Sequence, residues 1–196
     1  CQPFSLGGKR QAYNDHRDMF PEAVRAVREL KPKAFIFENV KGLLRKSFST
    51  YFNYILLQLT YPDIVRKDNE TWVEHLGHLE KLHTSGHYNG TKYNVVPRLL
   101  NAADYGVPQI RHRVVIVGFR EDLGVEWSFP DGEYSREALL YSKFVTGEYW
   151  DIHKIATKHR SAPPQADLKK AEQFASKYAG YKDKPRPWKT VRDAIF

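Results

Sequence analysis

The sequence contains almost no cysteine: Cys1 is the single example among 196 residues. A disulfide within the chain is therefore impossible, and this cysteine usage is typical of proteins in a reducing compartment. Long apolar runs are also lacking, since no 18 consecutive residues are apolar. We therefore expect no membrane-spanning helix, and the sequence shows no pattern of a secretory signal peptide.

Acidic residues are fewer than basic ones, 23 against 31, which gives a formal net charge of +8 and a sequence pI of about 9.4. Such a surplus favours an anionic partner, and nucleic acid is the commonest candidate. With 41% hydrophobic and 28% charged residues, the composition is that of a globular protein. The length suffices for one domain or a domain and a half.

The chain begins at Cys1 rather than at a methionine, and no strand or helix pattern precedes that residue. Residues 1–17 are rich in glycine, polar and basic side chains and lack periodicity, which predicts a mobile loop. We therefore expect the sequence to be a fragment whose upstream part is missing.

Two helices are predicted in the first third of the chain. Residues 18–31 carry apolar side chains at helical spacing, with Asp18 as the N-cap and Pro32 preventing continuation. The apolar face of this helix comprises Phe20, Val24, Val27 and Leu30. Residues 49–59 repeat the pattern, with an apolar face of Phe52, Ile55, Leu56 and Leu59.

Three strands are predicted around these helices. Residues 34–37 are apolar on both faces, which suits a buried strand of a parallel sheet. Residues 92–100 form a strand interrupted by Pro97, which favours a sheet edge, and residues 112–119 form the strongest strand. A short connector joins these two strands, so we expect a hairpin that adds an antiparallel strand to a parallel sheet. The combination predicts an α/β layer architecture.

Two stretches lack a clear pattern. Residues 61–91 are polar and irregular, apart from a short helical pattern at 72–82, and we interpret them as an insertion. The four histidines in this segment do not have the spacing of a zinc site and have no cysteine beside them, so we predict no metal; they are His75, His78, His83 and His87. Beyond Arg120 the periodicity fades, and lysines, prolines and two aromatic clusters follow.

Three short motifs occur in order: CQPFS at residues 1–5, ENV at 38–40 and QIRHR at 109–113. Together they resemble the DNA cytosine-5 methyltransferase family of the bacterial modification type. That family has a Pro-Cys-Gln loop, a Glu-Asn-Val strand end and a Gln-x-Arg-x-Arg strand start in this order. The resemblance extends over residues 1–120, through GGKR, NDHRDMF, FENVKGLL and LNAADYGVPQIRHRVVIVGFR, and WKTVRDAIF at 188–196 resembles a segment near the family's target-recognition region.

The resemblance implies covalent catalysis with Cys1 as the nucleophile, although the proline that the family has before this cysteine is absent. C5 of cytosine is a poor nucleophile, and thiolate addition to C6 activates it towards a methyl group from S-adenosylmethionine. A cysteine suits this role because its thiolate is accessible near neutral pH, above all beside cations. Glu38 is the implied acid that donates to N3 of the ring. We expect burial at the mouth of an apolar strand to raise its pKa and keep it protonated.

The resemblance also implies roles for four further residues. Arg113 contacts the cytosine carbonyl and holds the thiolate, and Arg111 is a supporting cation; both stabilise negative charge that develops in a dry pocket. Asn39 is expected to order the turn that positions Glu38, and Gln109 is expected to bridge the loop and the sheet.

Double-stranded DNA is the implied partner, and its target base must leave the stack before it can react. A loop with flexible glycines would close over the DNA and supply phosphate donors. The implied substrate-binding and DNA-binding residues are Gln2, Ser5, Lys9, Arg10, Arg17, Asn39 and Gln109.

The features with which the family binds S-adenosylmethionine, a Gly-rich turn and an acidic residue, precede the nucleophile loop and are not found in this sequence. Met19 and Phe20 are implied to border the cofactor without being able to hold it alone. We therefore expect the complete protein to be an active methyltransferase and this chain alone to be inactive.

The resulting prediction is an α/β fragment of two parts. Residues 1–120, with an insertion at about 61–91, form the C-terminal half of a doubly wound, Rossmann-like methyltransferase domain. Residues 121–196 begin a smaller target-recognition domain whose basic, aromatic character suits phosphate contact. The complete protein is expected to be monomeric, cytoplasmic and associated with the nucleoid, with a cognate restriction endonuclease as a genetic partner only.

Three alternatives stay open on sequence grounds. The first is the same chemistry on tRNA, because some relatives of this family methylate tRNA. The second is a catalytically silent DNA-binding partner, for which the basic surplus alone would suffice. The third is an unrelated thiol hydrolase that pairs Cys1 with a histidine, although no Gly-rich oxyanion turn beside a helix is evident.

Overall fold

The structure, a computed structural model, describes Phe4 and residues 18–195. The chain divides into two compact units. The first contains residues 1–99 and 113–129, and the second contains residues 100–112 and 130–196. Helices and strands occur together, which confirms the predicted α/β class.

The first helix, α1 (Phe20–Leu30), confirms the predicted helix. Asp18 lies one residue before the N-cap position, and its Oδ1 accepts the Phe20 N–H at 3.0 Å. The predicted apolar face is buried except at Leu30, which is exposed because the helix ends there and Lys31 adopts the left-handed conformation with φ 43°. The expectation that Leu30 faces the core was therefore wrong.

Three strands form one sheet in the order β1 (Ala34–Val40), β3 (His112–Arg120) and β2 (Tyr93–Asn101). β1 pairs antiparallel with β3, so that Phe37 lies opposite Ile116. Only one face of β1 is buried, since Phe35 faces the core while Ile36 is 71% exposed. The prediction of a parallel strand buried on both faces was therefore wrong, because apolar residues on both faces cannot tell which face meets the core.

The hairpin of β2 and β3 is confirmed. The Glu121 N–H donates to the Lys92 carbonyl at one end, and the Ala102 N–H donates to the Arg111 carbonyl at the other. These two bonds are those of an antiparallel pair. Pro97 lies in β2, which is an edge strand of this sheet as predicted.

Two further helices join α1 in the hydrophobic core of this unit. α2 (Ser49–Thr60) matches its predicted bounds, and α3 (Trp72–Ser85) is longer than its sequence pattern indicated. Thr71 and Glu74 form a capping box that starts α3. Leu76 and Leu79 of α3 belong to the hydrophobic core. The short helical pattern predicted at 72–82 is therefore confirmed, and the helix continues to Ser85.

Three histidines of this segment, His75, His78 and His83, have protein partners. His75 is buried, and its Nδ1 lies 2.8 Å from the Tyr54 hydroxyl. Burial holds the pKa of His75 below its ordinary value, and the Glu70 carboxylate acts in the opposite direction. His83 Nδ1 lies 3.0 Å from the Tyr61 hydroxyl. Among Phe4 and residues 18–195, no group of three His, Cys, Asp or Glu side chains could hold a metal ion.

The difference in burial between Ile116 and Ile36 leads to a prediction about the stability of the protein. Ile116→Ala removes a fully buried side chain from the central strand and should lower the free energy of unfolding by about 2–5 kcal/mol. Ile36→Ala removes the same atoms from the exposed face and should change it by about 0.5 kcal/mol or less. Urea denaturation of both variants measures the difference. Equal losses would contradict the assignment of the core face.

The second unit contains four helices and a two-stranded parallel sheet. They are α4 (Arg136–Phe144), α5 (Glu148–Ile152), α6 (Gln165–Lys177), α7 (Val191–Ile195), β4 (Tyr134–Ser135) and β5 (Arg186–Pro187). α4 packs on α6, with the rings of Tyr141 and Phe174 5.6 Å apart. No helix or strand was predicted beyond Arg120, so these elements were missed.

Short 3₁₀ helices connect several elements; they span Lys41–Leu44, Lys46–Phe48, Ala102–Tyr105, Glu121–Leu123 and Thr157–His159. None of the helices described between residues 18 and 195 combines the length and the apolar character needed to cross a bilayer.

Candidate active site

Glu38 and Arg113 meet on the exposed face of the sheet. Glu38 lies opposite Val115 in the β1–β3 register, and Arg113 lies opposite Val40. The two are therefore diagonal neighbours, close enough for long side chains to touch. Arg113 Nε forms an ion pair with Glu38 Oε1. Antiparallel pairing thus joins two sequence motifs that are far apart along the chain.

The surroundings of Glu38 differ from the expectation. Its side chain is 53% exposed, and that of Arg113 is 27% exposed. The predicted burial of the Glu38 carboxyl is therefore wrong for this structure, because Glu38 points from the open face of β1 and not into the core. Arg113, rather than an apolar wall, is its immediate neighbour.

Asn39 points to the other face of β1 and is buried. Its Oδ1 accepts the N–H of Val40 at 2.8 Å, at the residue where the strand ends. The 3₁₀ helix Lys41–Leu44 follows at once. The Asn39 side chain is therefore hydrogen-bonded to the backbone at the end of the strand, beside Glu38. Its expected role of ordering the turn stays a prediction.

Gln109 and Arg111 belong to the second unit and are exposed. The Arg111 N–H donates to Asn101 Oδ1 at 3.1 Å, and the same oxygen accepts from Ala103 N at 3.4 Å. Asn101 therefore fixes the backbone at the closed end of the hairpin. The roles expected for the Gln109 and Arg111 side chains remain predictions.

A cleft of about 140 Å³ lies beside the end of β1. Its walls combine Glu38 and Asn39 with a residue of the first motif and the start of α1; they are Phe4, Asp18, Met19, Phe20, Ala23, Phe37, Glu38 and Asn39. Three of the predicted groups of residues therefore border one space.

Met19 and Phe20 differ in their exposure beside this cleft. Met19 is exposed, but Phe20 is packed in the core, with its ring 5.9 Å from that of Phe4. The expectation that these two residues border the cofactor stays a prediction.

Two contacts of Tyr51, one with Phe4 and one with Asp18, were not predicted from the sequence. Phe4 is 1% exposed, and its ring stacks 6.4 Å from the ring of Tyr51 on α2. The Tyr51 hydroxyl also donates to Asp18 Oδ2, and burial together with this bond raises the pKa of Tyr51. The only sequence signal was an aromatic residue within an otherwise polar stretch.

Six predicted site residues lie outside the described residues, and their roles stay predictions. They are Cys1, Gln2, Ser5, Lys9, Arg10 and Arg17.

Comparison with known proteins adds an independent line of observation. A family profile described as "C-5 cytosine-specific DNA methylase" matches residues 1–61 and 62–191. The chain is 38% identical over 141 residues to the Type II methyltransferase M.HgiCII of Herpetosiphon aurantiacus, covering 71% of the chain and 26% of that protein. It is 34% identical over 172 residues to M.AquIA of Picosynechococcus sp., covering 85% of the chain and 60% of that protein.

A third Type II methyltransferase, M.NgoMIV of Neisseria gonorrhoeae, is 36% identical over 168 residues, covering 84% of the chain and 45% of that protein. The chain thus spans between 26% and 60% of the length of these three relatives. The family profile, in contrast, covers nearly the whole chain. These matches agree with the paired ENV and QIRHR motifs of the sheet, and the chain belongs to the C-5 cytosine-specific DNA methylase family.

Proposed function

We propose that the complete protein transfers a methyl group from S-adenosylmethionine to C5 of cytosine in double-stranded DNA. Its biological setting would be a restriction-modification system, as the Type II names of its relatives suggest. The observation that carries the proposal is the Glu38–Arg113 ion pair, which unites two family motifs beside the cleft.

Cys1 is the proposed nucleophile. Its thiolate adds to C6, an S–C6 bond forms, and the electron pair of the C5–C6 double bond makes C5 nucleophilic. C5 would take the methyl group of S-adenosylmethionine as the sulfonium–methyl bond breaks, and the donor would leave as a neutral thioether. Loss of the C5 proton to a base then restores the C5–C6 double bond as the S–C6 bond breaks and the thiolate leaves.

Glu38 and Arg113 are proposed to stabilise the charge that thiolate addition places on the ring. Arg113 has only donors, so it suits the cytosine carbonyl oxygen. Donation to N3 requires that Glu38 carry a proton. An arriving base that takes Arg113 as the partner of its carbonyl would free the Glu38 carboxyl from the ion pair.

DNA is the proposed partner, and the target base must be flipped out of the duplex to reach this site. The basic residues Lys9, Arg10 and Arg17 are proposed phosphate contacts, with Gln2 and Ser5 as further polar contacts. The complete protein is proposed to act as a monomer.

The test is methyl transfer from labelled S-adenosylmethionine by the complete protein to duplex DNA and to tRNA. Labelled 5-methylcytosine is expected in duplex DNA only. Label in tRNA alone would replace the proposal with the RNA alternative, and label in neither would favour the silent DNA-binding partner. The purified 196-residue chain is expected to be inactive, because the sequence features with which the family binds S-adenosylmethionine are not found in it; robust methylation by it would refute this part.

A further inference from the structure

Residues 177–189 form a strongly basic stretch at the surface of the second unit, which we call the basic strip. It contains five basic residues and a single acidic residue, Asp183. The basic residues are all exposed; they are Lys177, Lys182, Lys184, Arg186 and Lys189. This excess of cations gives the surface a local positive charge, which attracts an anionic partner.

The backbone of the basic strip is fixed where it forms β5. The Arg186 N–H donates to the Glu133 carbonyl at 2.7 Å, and the Trp188 N–H donates to the Ser135 carbonyl at 3.1 Å. The indole N–H of Trp188 also donates to Asp104 Oδ1 at 2.8 Å. The side chains at this end of the strip therefore start from fixed backbone positions.

Aromatic rings support three of the cations. Arg186 Cζ lies 5.8 Å and Lys189 Nζ lies 5.9 Å from the centre of the Tyr134 ring. Lys184 Nζ lies 5.8 Å from the centre of the Tyr141 ring. A cation within about 6 Å of a ring centre is attracted to the face of the ring, and this attraction restricts the side chain. Less conformational entropy is then lost when the cation binds an anion.

The carboxylate that lies nearest along β4 compensates little of this charge. Glu133 Oε2 lies 3.8 Å from Arg186 Nη1, and the two side chains are 70% and 67% exposed. A pair that is this long and this exposed contributes little and is screened by salt. Arg186 therefore stays available to an anionic partner.

Arg186 and Lys189 also line a cleft of about 360 Å³, which two acidic residues, Glu148 and Asp193, border as well. The Asp193 carboxylate accepts the N–H and the hydroxyl of Thr190, each at 2.6 Å. Its hydrogen bonds are thus made at the start of α7. Among the residues that the structure describes, no ion pair joins Asp193 to either cation of the cleft.

We propose that the basic strip is a docking surface for the phosphate backbone of double-stranded DNA, in which Arg186 and Lys189 each contact a phosphate. A DNA strand carries one charge about every 3.4 Å along the helix axis, so two cations on one ring can meet neighbouring phosphates. Such contacts supply affinity and orientation but do not read the base sequence. The inference rests on the proposed function for the identity of the partner.

The test removes two charges from the basic strip of the complete protein, in the double variant Arg186→Gln/Lys189→Gln. Binding to two duplexes of unrelated sequence is measured by fluorescence anisotropy between about 50 and 200 mM salt. Each phosphate contact contributes about 0.9 to the slope of log K against log salt concentration, so the slope should become shallower by about 1.8. The weakening should be equal on both duplexes, because every sequence has the same phosphates.

The double variant Lys169→Gln/Lys170→Gln is the matched control. These two lysines are exposed on α6 of the same unit, and their loss changes the net charge by the same amount. The control should keep the wild-type slope. An unchanged slope in the strip variant would overturn the inference, and so would an equal change in both variants, which would reflect net charge alone. If the double strip variant does not fold, each single variant should make the slope shallower by about 0.9, and wild-type slopes in both contradict the proposal.

Methyl transfer by the same preparations separates this inference from the proposed function. A wild-type protein that methylates no DNA but binds it with a slope that depends on the strip refutes the methyl transfer and supports the docking surface. A wild-type protein that methylates duplex DNA, together with a strip variant of unchanged slope, refutes the docking surface alone. A slope that changes for tRNA and not for duplex DNA would assign the surface to RNA and overturn the inference.

Discussion

Replacing Cys1 with serine in the complete protein should abolish covalent capture of duplex DNA that contains 5-fluorocytosine. Fluorine at C5 cannot leave as a proton does, so the adduct formed after methyl transfer persists and survives denaturation. A serine hydroxyl is not ionised near neutral pH, so it cannot replace the thiolate as the attacking group. The measurement is a denaturing gel of protein and labelled DNA in the presence of S-adenosylmethionine.

Non-covalent binding provides the control for this loss. Cys1→Ser changes one uncharged atom and no basic residue, so binding of unmodified duplex DNA and its salt dependence should stay at the wild-type level. Capture that persists in Cys1→Ser would assign the nucleophile to another residue. Salt-sensitive binding with no capture by the wild-type protein would favour the silent DNA-binding partner.

Glu38→Gln should lower kcat by about 10²–10⁴-fold, the usual contribution of a positioned proton donor. Glutamine keeps the length and much of the shape of the side chain but cannot transfer a proton to N3. Single-turnover methylation of duplex DNA by the complete protein measures the effect. The carboxylate of Glu121 is a matched control, because it is also about half exposed and ion-paired, 2.7 Å from Lys92 Nζ. Glu121→Gln should therefore leave kcat unchanged.

The ion pair also predicts coupling between its two members. Arg113→Ala should lower kcat by about 10²–10³-fold, as expected for the loss of a donor to developing charge. Because Glu38 and Arg113 act on the same ring and contact each other, the double variant should lose less than the product of the two single losses. Strictly multiplicative losses would contradict a joint role.

The sequence predicted those parts of the fold in which one face of an element differs clearly from the other. Helix α2 and strand β3 lie where the spacing of apolar residues put them, and Pro97 correctly indicated an edge. β1 was misjudged because Phe35, Ile36 and Phe37 are all apolar, although they alternate between the two faces of the strand. Only the packing of the helices decides which face is covered. The helices of the second unit were missed, although α6 runs over 13 residues and buries Ala171 and Phe174 at a spacing of three residues.

In the candidate site, too, some features were predicted from the sequence and others were not. Ordered motifs indicated Glu38 and Arg113, and the antiparallel register then explained how they meet. The contact of Phe4 with Tyr51 joins residues from different elements and depends on the path of the backbone, which no local pattern encodes. The exposure of Glu38 could not be predicted either, since it depends on the alternation of faces along a strand whose covered side was unknown.

The two outer strands of the three-stranded sheet have different edges. β2 contains Pro97, which has no N–H to offer to a neighbouring strand. β1 contains no proline and no lysine or arginine from Ala34 to Val40, and its outward edge therefore keeps a continuous row of donors and acceptors. Among the strands described, β1 is thus the edge strand with a backbone N–H at every residue, and it carries Glu38 and Asn39 near its end.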